Sequence, residues 1–542
     1  MALPIIDLFA GPGGMGEGFS SLPHDRFRLS VSIEKDPQAH QTLRLRSAFR
    51  ELMRTDQPKA VWRTWYQIIG STPWHLTFQA LSNCAEPAIR TACSFADQEA
   101  WNLEMAEHNR KDVIHGIRER LKFAGYTDRP EHCIVIGGPP CQAYSIVGRS
   151  RNRGKAGYKA EEDHRHFLYK EYLNVLKEFE PVAFVMENVK GILTSRVDGA
   201  GIFDAVLCDL RNPRKALTGR LGRGYRLIAL SSESLLPEDS AASDFIIRAE
   251  QHGIPQTRHR VIILGVREDM HLPPPEQLVL EFKEPVSVKD AIADLPKIRS
   301  DLSNRNKDME WHEAFKSELV NAAVDEMAHS TSAHHRLIAT RMKNYSRNAL
   351  AVAPKVTGSE RWFTELLKDD DWSGKKPRQV RKFRGWVQDR TGMTFVANHE
   401  TRTHRADDLA RYLFVSLFGQ ADESPRLKDF PRALLPAHKN IDPDDLDSAI
   451  FKDRFRVQVA NRPATTITSH IAKDGHYFIH YDPEQCRSLT VREAARLQSF
   501  PDNYIFLGNR TSQYTQVGNA VPPFLARQIA EVVDNILAKN RL

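Results

Sequence analysis

Residues 3–19 read LPIIDLFAGPGGMGEGF: an apolar run, an acidic residue inside it, then a loop crowded with glycine. A short apolar run bounded by glycine has the signature of a buried strand, and the glycines permit a tight turn in which backbone approaches a nucleotide-like ligand. No Gly-Lys-Ser/Thr follows, so this is not a triphosphate-binding loop. Pro12 removes a backbone donor and Asp7 would repel a pyrophosphate, which argues against a dinucleotide loop. A second run, Leu29 to Ile33, ends in Glu34-Lys35-Asp36, with Glu34 twenty residues after Gly14. A carboxylate there is placed to accept hydrogen bonds from both hydroxyls of an adenosine ribose. An adenosine cofactor without a pyrophosphate, carrying a cationic centre that Asp7 tolerates, points to S-adenosylmethionine. Taken alone, these segments also read as a glycine turn beside a solvated carboxylate.

Working outward, β-branched runs recur at Pro4 to Phe9, Leu29 to Ile33, Ile134 to Ile136, Val182 to Met186, Tyr225 to Leu230 and Val261 to Val266, separated by helix-compatible spacers. That alternation predicts an α/β fold with an open, doubly wound, mostly parallel sheet whose ligands collect at the carboxyl ends of the strands. Two stretches break it. Residues 42–131, with Trp62, Trp65, Tyr66, Trp74 and Trp101, read as an insertion whose aromatics are packing residues. Residues 299–484, richer in charge and histidine, read as a separate domain. The 542 residues carry a net charge of +7, which suits a polyanionic partner without establishing one. The start lacks a signal-peptide pattern and no apolar run approaches the ~20 residues of a membrane span, so a cytoplasmic protein with no membrane partner is expected. Six cysteines without a C-x-x-C pair read as reduced thiols, and no metal is expected.

The chemistry concentrates at strand ends. In IVIGGPPCQAYSIVGRSR (134–151) two glycines end a strand and two prolines stiffen the turn that presents Cys141. A lone cysteine is commonly an inert buried thiol; as a thiolate it is a strong nucleophile. The run PVAFVMENV (181–189) puts Glu187 at the end of another strand, where a carboxyl group can hydrogen-bond or protonate a ring nitrogen. In GIPQTRHR (253–260) Arg258 and Arg260 open a further strand, one directed at a carbonyl, the other at phosphate or Glu187.

Seven segments in order, DLFAGPGG, IEKD, GGPPCQAYS, MENV, QTRHR, LTVREAARLQSFPDNY (489–504) and QVGNAVPP (516–523), resemble the cytosine-5 DNA methyltransferase family. The resemblance implies a Rossmann-like, class I methyltransferase fold: a catalytic domain over 1–298, a smaller target-recognition domain over 299–484, and a segment, 485–542, returning to the first domain. It implies catalytic positions at Cys141, Glu187, Arg258 and Arg260. The expected cofactor pocket takes in Asp7, Phe9, Gly11, Gly13, Glu34, Pro139, Leu168 and Asn519, with S-adenosylhomocysteine as product. Duplex DNA is the expected partner. Its expected contacts are Gln142, Ser145, Arg149 and Arg151 on a closing loop (142–155), Gln256, Lys375, Lys376, Arg378 and Arg381 in the basic run KKPRQVRKFR (375–384), and Thr466 in ATTITSH (464–470). A monomer is expected, serving in restriction-modification or anti-phage self-marking with possible defence-system partners. The rivals are an RNA cytosine methyltransferase on the same scaffold and a catalytically silent DNA-binding homologue. The family's short acidic motif for the adenine is not identifiable, and neither Asp112 nor Asp128 is a convincing substitute. The segment NHETRTH (398–404) suggests a motif without a chemical assignment, its histidines structural or phosphate contacts rather than metal ligands.

Overall fold

The computed structural model describes residues 2–140, 165–197, 200–231, 242–306, 308–356, 363–365, 376–388, 391, 395–437, 441–447 and 452–542. Two compact units emerge: Met1–Glu284 with Ile505–Asn509 and Asn519–Leu542, and Pro285–Tyr504 with Arg510–Gly518. The chain thus changes unit at 284/285 rather than 298/299, and residues 485–504 stay with the second unit instead of returning to the first.

In the first unit every residue of β1 (Leu3–Leu8) is buried. A turn made by Gly13 at φ 95°, where a side chain would be strained, leads into α1 (Gly14–Ser20). There follow β2 (Phe27–Glu34), α2 (Pro37–Met53), α3 (Lys59–Ser71), α4 (Trp74–Ser82), α5 (Pro87–Glu99), β3 (Ala100–Asn102), α6 (Arg110–Phe123) and β4 (Ile134–Gly137). Beyond these come α7 (Arg165–Phe179), β5 (Ala183–Val189), α8 (Ile202–Arg211), β6 (Tyr225–Ile228), β7 (Ile246–Arg248) and β8 (His259–Arg267). The strands form one sheet in the order β3-β2-β1-β4-β5-β8-β6, with β7 also paired to β8. Pairs from β3 through β5 are parallel, whereas β8 runs antiparallel to β5 and β6. This mixed α/β sheet positions the site directly. Five parallel strands bring Leu8, Glu34, Asn102, Gly137 and Val189 to one edge, and β8, running the other way, begins there with Arg260 opposite Val189. On one face, alternate strand residues Ile6, Leu8, Val31, Ile33, Val135, Phe184, Met186, Val261 and Ile263 pack with residues of α6, α7 and α8 in a single core.

The stretch read as an insertion is only partly one. Ala100–Asn102 pairs in parallel with β2, and α6 contributes Val113, Ile117 and Leu121 to the core, so both are integral to the sheet. A three-residue strand without a β-branched residue gives no period-2 pattern, which hides it in the sequence. Between α2 and α5, α3 and α4 form a helical hairpin whose Trp62, Trp65 and Tyr66 are buried, Trp62 and Trp65 packing at a tilt against Phe49 at 5.2 and 6.2 Å between ring centroids.

The second unit is mainly helical: α9 (Glu318–Ala328), α10 (Ala333–Val352), α11 (Arg378–Val387), α12 (Ala406–Phe418), α13 (Val491–Leu497) and α14 (Arg510–Asn519). Phe315, Met342, Leu413, Phe414 and Phe430 share its core. The segment carrying LTVREAARLQSFPDNY is held by buried arginines. Arg487 meets Glu493 through two bonds of 2.7 and 2.6 Å, and Arg496 meets Asp502 through two of 2.8 Å. Arg492 donates to the carbonyls of Ala397, Pro501 and Tyr504. His399 bridges Thr490 Oγ1 and the Pro296 carbonyl, at 3.0 and 2.9 Å, which makes it a packing histidine. Burial pushes its pKa down to about 4. The chain then returns to the first unit, where Leu507 N–H donates to Thr42 Oγ1, and ends in α15 (Pro523–Lys539). Among the described residues no helix is long and apolar enough to cross a membrane, and no cluster of three His, Cys, Asp or Glu could hold a metal ion.

Candidate active site

The glycine loop is tied to the end of β2 by Glu34. Its Oε2 accepts from Gly11 N–H at 2.8 Å and its Oε1 from Asp36 N–H at 2.7 Å. Two backbone donors fix the carboxylate plane and leave each oxygen a further lone pair for a ligand hydroxyl. Burial raises the Glu34 pKa, with the hydrogen bonds from Asp36 and Gly11 pulling the other way. Phe9 takes φ 57° at the head of the loop, and Ala10 N–H donates to the Ile33 carbonyl at 2.9 Å, so the loop hugs β2. Asp7 sits lower. It is buried, and a Cβ on Gly16 would lie 3.0 Å from its Oδ2, which puts the carboxyl beneath α1 rather than at the loop mouth. Burial drives its pKa well up, favouring the protonated form.

The neighbouring strand end was not anticipated. Asn102, last in β3, donates from Nδ2 to the carbonyls of Glu34 and Lys35 at 2.9 and 3.1 Å, and Leu103 N–H donates to Glu34 O at 3.1 Å. Residues 102 and 103 are thereby fastened to the end of β2 beside Glu34.

A second polar group gathers where β4, β5 and β8 meet. Gly138 leaves room for Glu187: a Cβ there would fall 2.9 Å from Glu187 Oε2. Asn188, buried beside it, donates to the Pro139 carbonyl at 3.4 Å and ties the double-proline turn to β5. The Glu187 and Arg260 side chains, 14% and 17% exposed, are paired through Arg260 Nε at 3.1 Å. Arg258 is buried at 2% exposure. Desolvation, then Arg260, lowers its pKa, and Glu187 opposes that shift, so the three groups feel one another. Two guanidinium groups and one carboxylate thus stand together at this edge, groups able to hold a carbonyl or phosphate oxygen.

Leu168 is half-buried at the start of α7, Thr466 half-buried in the second unit, and Asn519 exposed at the end of α14. Cys141, Gln142, Ser145, Arg149, Arg151 and Lys375 lie outside the described residues. Gln256 is fully buried in a tight turn, its N–H on the Ile254 carbonyl and its own carbonyl accepting from Arg258 N–H; a groove-facing role does not fit that burial. The basic run divides by helix face. Arg378, Arg381 and Lys382 are exposed on α11, Lys376 pairs with Asp290 at 3.2 Å, and Arg384 turns inward onto Asp294, so it is no phosphate contact.

Residues 87–211 and 243–535 match the family model of C-5 cytosine-specific DNA methylases. A type II methyltransferase of Bacillus paralicheniformis is 29% identical over 549 residues, covering 98% of this chain and 99% of that protein. Another, from Thalassovita gelatinovora, is 30% identical over 442 residues, covering 77% and 85%. A DNA (cytosine-5-)-methyltransferase of Aeropyrum pernix is 22% identical over 564 residues, covering 98% of each chain. With the sheet edge, the Glu34 clamp and the Glu187–Arg260 pair, these similarities establish that the chain belongs to the C-5 cytosine-specific DNA methylase family and is a DNA cytosine-5 methyltransferase.

Proposed function

We propose that the chain methylates carbon 5 of a cytosine rotated out of duplex DNA, by way of a covalent adduct with Cys141. The observation that carries this is the Glu187–Arg260 pair packed under Gly138, three residues before Cys141, on the same sheet edge as the Glu34 clamp. Carbon 6 is unreachable in a stacked duplex, so the base must leave the helix. The Cys141 thiolate then adds to carbon 6. Glu187 supplies or shares a proton at ring N3, and a guanidinium of Arg258 or Arg260 holds the carbonyl at O2, so the charge pushed onto the ring is neutralised as it forms. Carbon 5 thereby becomes an enamine carbon able to attack an electrophile.

The pinned carboxylate of Glu34 and the turn at Gly13 suit an adenosine whose ribose hydroxyls donate to the free lone pairs of Glu34. S-adenosylmethionine, when bound there, supplies a methyl group on a positively charged sulfur. Once carbon 5 is methylated, loss of its proton and expulsion of the Cys141 thiolate restore the C5–C6 double bond, and the N3 proton returns to Glu187. The type II methyltransferase names of the relatives support a role in marking a host's own DNA against a restriction nuclease.

Duplex DNA containing 5-fluorocytosine tests the mechanism, because fluorine cannot leave as a proton does. A denaturation-stable complex is expected with the wild type and none with Cys141→Ala. Failure of the wild type to form one, on DNA it binds and otherwise methylates, overturns the covalent route. Bisulfite sequencing of DNA from a host expressing the protein gives the base and its sequence context.

A further inference from the structure

Helix α10 runs for 20 residues, AHHRLIATRMKNYSRNALAV, without one acidic side chain. Ile338, Met342, Tyr345 and Ala349 bury its inner face in the core of the second unit. Arg336, Lys343 and Arg347 are exposed on the other side. At 100° per residue, spacings of seven and four keep these cations within about 40° of one another, in a stripe about 16 Å long. Thr340 and Asn344, uncharged hydrogen-bonding side chains, flank it and are exposed too.

Some exposed or half-exposed arginines of this unit are neutralised, Arg405 by Asp407, Arg432 by Asp444 and Arg454 by Asp474, whereas Arg378 and Arg381 on α11 are exposed cations like those of the stripe. Arg336, Lys343 and Arg347 ion-pair with no carboxylate among the described residues. Of the three acids of adjacent α9, Asp325 lies 3.8 Å from His329, Glu326 accepts from the backbone N–H of Arg432, and Glu318 is exposed at the first residue of the helix. The Arg336 guanidinium is itself held in place, donating from Nη1 to the carbonyls of Ser330 and Thr331 at 2.6 and 2.8 Å. Three aligned cations left without counter-charge repel one another, and an anion of matching spacing relieves that. Along one strand of B-form DNA about 16 Å takes in roughly five phosphates.

From this geometry we infer that the outer face of α10 binds the phosphate backbone of duplex DNA independently of sequence, as a second anchoring surface apart from the site that receives the base. The inference rests on DNA being the substrate. Counterion release sets its size: three phosphate contacts contribute about 2.7 to the slope of log Kobs against log salt, or about 40-fold in affinity between 50 and 200 mM salt.

The test titrates a fluorescent 30-base-pair duplex with the full chain across that salt range. R336Q/K343Q/R347Q is expected to lower the slope by about 2.7, and K343Q alone by about 0.9, on any duplex sequence. A control, K59Q/R63Q/K111Q, removes equal charge from exposed positions of the first unit and should leave the slope unchanged. An unaltered slope in the α10 variants, or an equal fall in the control, overturns the inference while leaving the methyltransferase reading intact. A wild type that binds no duplex DNA overturns both. K343Q keeps the test decisive if the triple variant unfolds.

Discussion

Substituting Gly138→Ala asks whether the close seat of Glu187 matters to chemistry. The added Cβ would stand 2.9 Å from Glu187 Oε2 and 3.5 Å from the Glu187 carbonyl oxygen. Ordinary contact requires the carboxylate to retreat by about half an ångström, away from the place where it meets Arg260 at 3.1 Å. The displaced atom is the end of a rotatable side chain, so the cost in stability should stay within about 1 kcal/mol, at the low end for overpacking. Catalysis tolerates misplacement less well. A shift of 1 Å can cost about 100-fold, so half that distance predicts a loss of roughly 10-fold, or about 1.4 kcal/mol, in the methyl-transfer step. Single-turnover incorporation of labelled methyl into duplex DNA measures the loss, while calorimetry with S-adenosylhomocysteine and thermal unfolding serve as readouts that should barely move. In a Glu187→Ala background the new methyl group meets no carboxylate, so Gly138→Ala should there have no further effect. A single-turnover rate within twofold of wild type, or an equal additional loss in the Glu187→Ala background, would refute the reasoning.

Other outcomes follow from the same geometry. Glu34→Ala removes the acceptor of the Gly11 and Asp36 N–H groups and of the expected ribose hydroxyls; two lost charge-assisted bonds of about 1.5 kcal/mol predict roughly 150-fold weaker S-adenosylhomocysteine binding by calorimetry, and an unchanged Kd would remove Glu34 from the pocket. Arg487→Ala strands the Glu493 carboxylate in the core and should cost about 3–5 kcal/mol in denaturant unfolding, whereas the paired change R487M/E493Q should recover much of it; equal losses in both would argue against an uncompensated charge as the cause. Stability should also fall with acid. His399, held near a pKa of about 4 by burial, is neutral in the fold while the unfolded chain titrates near 6.5, so stability is full above that value and declines as pH drops toward 4, by about 2 kcal/mol at pH 5 from this residue. Urea titrations at pH 7 and pH 5 on wild type and His399→Gln measure it, and an identical pH dependence in the two would rule His399 out.

Much of the fold was readable from strand runs and their endings. Segments of β1, β2, β4, β5, β6 and β8 each contain β-branched or large apolar residues bounded by glycine or charge, so periodicity and punctuation marked them. The candidate site residues were visible for the same reason, since Glu34, Glu187 and Arg260 stand at or beside strand ends. What escaped was short or decided by neighbours. Ala100–Asn102 became a strand only because β2 offered it an edge, and Arg384 left the basic run because its helix face turned toward Asp294. Gln256 was expected at a groove and is buried, since no local pattern distinguishes an exposed turn from one covered by the rest of the chain.

The sequence by itself determined the inventory: which strands could form, which loops could admit a nucleotide, and which side chains could act as acid, clamp or nucleophile, because those depend on local stereochemistry and functional groups. Tertiary structure alone decided their company. Antiparallel pairing of β8 against β5 brings Arg260, more than seventy residues away in the chain, within 3.1 Å of Glu187. Strand order sets β4 between β1 and β5, so that Gly138 faces a carboxylate it could accommodate only by lacking a side chain. Pairing and burial arise from the free energy of the whole packed chain, and no single stretch contains them.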